Sequence, residues 1–92
     1  MADTKNVDNS VENEKILDEM MNQNQDEVVA DIVNFVSLNL DYMSPDSYNL
    51  QYFYKKYWES KGIKGLIPQG TKSRKYMDGI EQKATQKFRS RS

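Results

Sequence analysis

The sequence predicts an all-α protein: a small three- to four-helix bundle with a disordered acidic N-terminal arm and a frayed basic C-terminal tail. Three observations carry that expectation. Apolar residues recur at i, i+3 and i+4 in four separate segments, the period of helices with one buried face. Side chains suited to capping, Asn9, Asn24, Ser44 and Thr71, stand ahead of those segments. Both prolines and three of the four glycines fall in the gaps between them. A chain of 92 residues has room for one compact domain.

Residues 1–9 lack apolar periodicity and read as a disordered arm. Helix one is expected over 10–21, with Asn9 as cap and Glu12 as its capping-box partner. Ile16, Leu17, Met20 and Met21 share one face of it, and Glu12, Glu14, Asp18 and Glu19 lie largely on the other. So short a stripe makes a marginal helix in water, so it either docks loosely on the body or waits for a partner. Residues 10–24 therefore form an acidic helix and linker, ahead of a small helical domain over 25–92.

Asn24 with Glu27 marks the start of a second helix, expected over 25–40. Val28, Val29, Ile32, Val33, Val36 and Leu40 make its inner face. From Val36 the order Val36, Leu38, Leu40, Tyr42 alternates as a strand would, but the i, i+4 pattern is longer and favours helix throughout. Ser44-Pro45-Asp46 predicts the next start, with Ser44 as cap and Pro45 at the first helical position. That helix runs to residue 60 or 61 and stops at Gly62, burying Leu50, Phe53, Tyr54, Tyr57 and Trp58 as the centre of the core. GIKGLIPQG, residues 62–70, is a loop tucked against the body by Ile63, Leu66 and Ile67. Thr71 caps a last helix over 72–88, with Met77, Ile80, Ala84 and Phe88 inward and a fraying tail beyond.

Composition narrows the function classes. With no cysteine and no histidine, disulfides, zinc-thiolate sites and His-based nucleophilic catalysis are excluded. The expectation is a non-enzymatic protein with no cofactor, no metal and no small-molecule substrate. No acidic run has calcium-loop spacing, and GIKGLIPQG lacks the lysine-serine ending of a phosphate-binding loop. The N-terminus shows no signal-peptide core, and the densest apolar stretch, 28–36, is broken by Asp31 and Asn34. A cytoplasmic, non-membrane protein is expected, in a host cytoplasm or virion if the source is viral.

The net charge of −1 hides an asymmetry. Residues 1–30 carry eight acidic and two basic side chains, net −6, and the rest carry eleven basic and six acidic, net +5. Three candidate sites follow. The arm-helix stripe of Ile16, Leu17, Met20 and Met21 can fill a partner's groove. Tyr48 and Tyr52 lie off the buried stripe of helix three and are candidates for an exposed protein contact. Lys72, Arg74, Lys75, Lys83, Lys87 and Arg89 can neutralise nucleic-acid phosphates, although the whole-chain pI of about 5.4 is low for a dedicated binder. The 62–70 connection is too long for a helix-turn-helix.

The acidic run EKILDEMM, residues 14–21, leading into a mixed helical body is faintly similar to the late-transcription coactivators of T-even-type phages, over a third of the chain and without a specific motif. Small size with abundant Asn, Lys and Met likewise resembles viral or phage accessory proteins. The expected function is a protein-protein adaptor or regulator, or a small component of a larger assembly, with a protein partner or a second copy of itself. The alternative is a nucleic-acid-associated regulator working through the basic last helix. A weaker one is an inhibitor whose acidic segment mimics a polyanion.

Overall fold

The computed structural model describes residues 10–91, which form four helices: α1 (Ser10–Met21), α2 (Gln25–Leu40), α3 (Ser47–Ser60) and α4 (Lys72–Arg91). No strand occurs among the described residues. The arm over 1–9, with the cap proposed at Asn9, lies outside them, as does Ser92.

Local chemistry sets most of the boundaries. Asn24 sits in extended backbone, and its side-chain oxygen accepts from the Asp26 amide at 2.8 Å, starting α2. α2 continues as helix to Leu40, so the alternating pattern from Val36 does not become a strand. The α3 start differs from expectation. Asp46, not Ser44, is the cap, its carboxylate accepting from the Asn49 amide at 2.9 Å. An ionised oxygen accepts more strongly than a hydroxyl, and a carboxylate also suits the positive end of the helix. Ser44 contributes its carbonyl instead, accepting from Asn49 Nδ2 at 2.7 Å, and Pro45 stays outside the helix.

The end of α3 follows the sequence. Gly62 adopts φ +100°, its amide bonds to Glu59 O, and the Ile63 amide reaches back to Trp58 O at 3.1 Å. This paired return is a Schellman motif, and Ile63, buried, supplies its apolar contact. Thr71 Oγ1 accepts from the Arg74 amide at 3.2 Å and starts α4. α4 runs to Arg91, past the expected end at Phe88.

The core is one cluster. α2 gives Val28, Val29, Ile32, Val36 and Leu40, α3 gives Leu50, Phe53, Tyr54, Tyr57 and Trp58, and α4 gives Met77, Ile80, Ala84 and Phe88. α2 and α3 form an antiparallel hairpin in which Asp31 meets Tyr57 and Lys61, and Phe35 meets Tyr57. α4 lies antiparallel to α3, with Tyr54 on Thr85 and Trp58 on Glu81, and also packs on α2.

α1 is docked, not loose. Leu17 and Met20 join the core, Ile16 and Met21 pack at its edge, and α1 rests on α4. A two-bond clip holds its other side. Asn13, buried, donates from Nδ2 to Lys64 O at 2.8 Å and accepts from the Lys64 amide at 3.0 Å. That clip and the buried Ile63 and Ile67 fix the 62–70 loop. Leu66, expected to face inward with them, instead stands 94% exposed.

Gly62 joins these elements, since a Cβ there would need φ > 0 and would lie 3.0 Å from Ile16 Cδ1. Gly62→Ala is predicted to destabilise the fold by about 1–2 kcal/mol, from the left-handed backbone alone. Urea denaturation should show a lower midpoint at unchanged slope; an unchanged midpoint would contradict the account.

Candidate protein-binding surface

The three sequence-derived sites meet different fates. Leu17 and Met20 of the arm-helix stripe are buried in their own core, with Ile16 and Met21 half-buried beside them. Folded, α1 does not present this stripe to a partner. Its acidic side chains Glu12, Glu14, Asp18 and Glu19 remain exposed.

Tyr48 and Tyr52 are on the surface, Tyr48 at 87% exposure and Tyr52 at 54%. They occupy the outer side of the first turns of α3, one helical turn apart. Lys56 Nζ sits 5.3 Å from the centre of the Tyr52 ring, which packs roughly perpendicular to Phe53 with ring centres 5.1 Å apart. Three further apolar side chains precede them along the α2–α3 corner: Leu38 at 73% exposure, Tyr42 at 97%, and Met43, half-exposed.

The corner is tightly built. Asp41 ends α2 at φ +51°, the Met43 amide returns to Leu40 O, and the Asp46 and Asn49 bonds close the segment onto α3. Leu38, Tyr42 and Met43 were not among the expected contacts. The signal was present in the alternation Val36, Leu38, Leu40, Tyr42. With Val36 and Leu40 in the core, Leu38, two positions from each on the helix, faces away from it, and Tyr42 lies beyond the end of α2.

The cationic set divides. Lys72, Lys75, Lys83, Lys87 and Arg89 are exposed. Lys72, Lys75, Lys83 and Lys87 fall within an arc of about 120° on the helix, flanking its buried face on the Ile80 side. Lys83 Nζ also donates to Gln25 Oε1 at 2.9 Å. Arg74 does not join this face. It is mostly covered, with Nε 3.1 Å from Asp78 Oδ1, and it lines a recess beside Trp58 and Met77. That distance is an ion pair's, but Nε is buried without an aligned hydrogen bond.

The interior titratable groups are matched to structural partners. Burial pushes the Asp31 carboxyl up, but the Tyr57 hydroxyl and the Lys61 ammonium outweigh it and hold the group below its ordinary value. Burial, then the bond to Asp31, drives the Tyr57 phenol far above its usual range. Burial also raises Tyr54 and Tyr76. Glu81 is raised by burial, only partly offset by the bond from Trp58 Nε1 and the charge of Arg74. Among the described residues no group of three or more acidic side chains is placed to hold a metal, and no helix is long and apolar enough to cross a membrane.

No protein-family model, curated protein or solved structure matches the chain.

The raised Glu81 carboxyl has a definite sign. As pH climbs from the ordinary carboxylate range through the higher folded value, the unfolded chain ionises first and native stability falls. Glu81→Gln keeps an acceptor for Trp58 Nε1 and removes this cost. The variant should melt higher than the native sequence at pH 7.5 and match it at pH 4, by differential scanning calorimetry. A variant that melts lower at pH 7.5 would show that the charge is stabilising.

Proposed function

We propose that the protein is a non-enzymatic protein-binding module, an adaptor or small component of a larger assembly, that docks its partner on the α2–α3 corner. The observation that carries this reading is the exposure of Leu38, Tyr42, Met43, Tyr48 and Tyr52 along one short stretch of a chain with little core to spare. Single exposed apolar residues are ordinary on any surface. Several together, three of them tyrosines, match the aromatic and Met enrichment of interface cores. Tyrosine contributes large contact area with few rotatable bonds, so less entropy is lost on docking. The closed turns on either side of the corner hold the set in place before binding. A reducing cytoplasm suits the lack of cysteine.

A photo-crosslinking amino acid at position 42 or 48 should yield adducts to one discrete protein in extracts of the producing cells. The same group at Glu14, exposed on α1 beside the 62–70 loop at the other end of α3, should not. Equal or absent labelling at all three positions would remove the corner from the function.

The lysine arc of α4 supports a second reading, contact with nucleic-acid phosphates. Neutralising about four phosphates gives a slope near −3.6 for log K against log salt on duplex DNA. Fluorescence anisotropy on a labelled duplex should recover that slope, and Lys83→Glu with Lys87→Glu should abolish binding. Salt-insensitive binding, or none at low salt, would remove this reading.

A further inference from the structure

The exposed tyrosines of α3 stand beside two lysines that the chain leaves without a counter-charge. Tyr48, Tyr52, Lys55 and Lys56 fall within an arc of about 100° on the helix, opposite the side that buries Phe53, Tyr54 and Tyr57. Three other cations of the fold have polar partners: Lys61 meets Asp31, Arg74 meets Asp78 and Lys83 meets Gln25. Among the described residues Lys55 has no hydrogen bond or ion pair. Lys56 meets the Tyr52 ring alone, its Nζ 5.3 Å from the ring centre. Glu59 shares this face one turn further along and pairs with neither lysine.

That arrangement constrains whatever covers Tyr52. The ring cannot leave water without the Lys56 ammonium beside it losing water too, and an ammonium enclosed without a counter-charge carries a large penalty. A purely apolar occupant is therefore disfavoured. A carboxylate on the occupant removes the penalty and leaves the cation over the ring. A polyanion fits less well. With Glu59 on the same face and the Asp46 carboxylate at the start of the helix, the two lysines make a poor track for successive phosphates. The complement is short: an apolar side chain to lie on Tyr48 and Tyr52, with carboxylates roughly 5–10 Å further along the helix axis.

Building on a partner docked at the α2–α3 corner, we propose that this partner is an acidic segment of a protein. Its apolar side chain lies on Tyr48 and Tyr52, and its carboxylates meet Lys55 and Lys56.

A photo-crosslinking amino acid at Gln51 tests this, since position 51 is exposed one turn from both Tyr48 and Lys55 and leaves all four side chains in place. In extracts of the producing cells the full chain should give an adduct to one discrete protein, with a yield that resists nuclease. Lys55→Glu with Lys56→Glu should lower that yield about tenfold or more, and raising salt from about 50 mM to about 500 mM should lower it as well. Lys55→Arg with Lys56→Arg should retain it, as should Lys72→Glu with Lys75→Glu on α4. All four lysines are exposed, so circular dichroism should show each variant folded. An adduct unmoved by charge reversal and by salt overturns the acidic partner. So does one lost on nuclease treatment, or lost equally on reversal in α4. No adduct at 51 while positions 42 and 48 still label overturns it too, whereas loss of labelling at all three would remove the corner itself.

Discussion

Everything in this fold depends on how α3 buries rings that carry polar atoms. Tyr54, Tyr57 and Trp58 are almost wholly enclosed, and each brings a hydroxyl or an indole N–H that would be costly to leave unpaired. The solution is to send each polar tip to a different side chain: Tyr57 to Asp31 on α2, Trp58 to Glu81 and Tyr54 to Thr85 on α4. These bonds fix the rotation of α3 and the order in which its neighbours meet it. Apolar packing alone would tolerate a slide of one helix past another; three directional bonds on two helices do not. The edge-on contacts of Tyr57 with Trp58 and with Phe35 add the geometry that aromatic rings favour.

With α3 fixed, the remaining elements have little freedom. The Schellman turn at Gly62 directs the chain to Asn13, whose two bonds bring α1 against the 62–70 loop, while Tyr76 of α4 donates to Met20 O at 3.3 Å. Neither contact is strong alone. Leu17 and Met20, once enclosed, make α1 part of the body and not an appendage. A marginal helix becomes stable when its apolar stripe finds a ready-made surface, as most protein helices do.

The sequence made the apolar stripes and glycine stops legible because each depends on near neighbours. α2 begins and ends where its cap and periodicity place it, and the inward residues of α2, α3 and α4 are almost those that spacing selects. What could not be read is what depends on distant partners. Nothing near Asn13 marks it as the clip of a loop some fifty positions later, and nothing in ILDEMM says that α1 finds its groove within the same chain. At Ser44-Pro45-Asp46 three good start signals overlap, and a carboxylate competing with a hydroxyl decides by strength, not by order. Leu66 faces outward between two buried anchors, Ile63 and Ile67, an outcome its apolar character does not announce. Tyr48 and Tyr52 were legible as outward-facing because they lie off the α3 stripe. Leu38 is equally legible from α2, since the position midway between the buried Val36 and Leu40 falls on the helix's outer face, whereas Tyr42 lies past its end.

That outer face gives the most direct link between fold and use. A chain of this size cannot enclose every apolar residue. Leu38, Tyr42, Met43, Tyr48 and Tyr52 stand exposed along residues 38–52, Val11 and Leu66 stand exposed elsewhere, and α1 and α4 expose charge of opposite sign. Core packing in the monomer does not explain the exposure of Leu38, Tyr42 and Tyr48, whereas Tyr52 rests on Phe53 and Met43 is half-covered. Polar replacements would even improve its solubility. Exposed apolar side chains carry a hydration cost in the isolated chain, and that cost is the physical ground of the docking surface proposed at the α2–α3 corner.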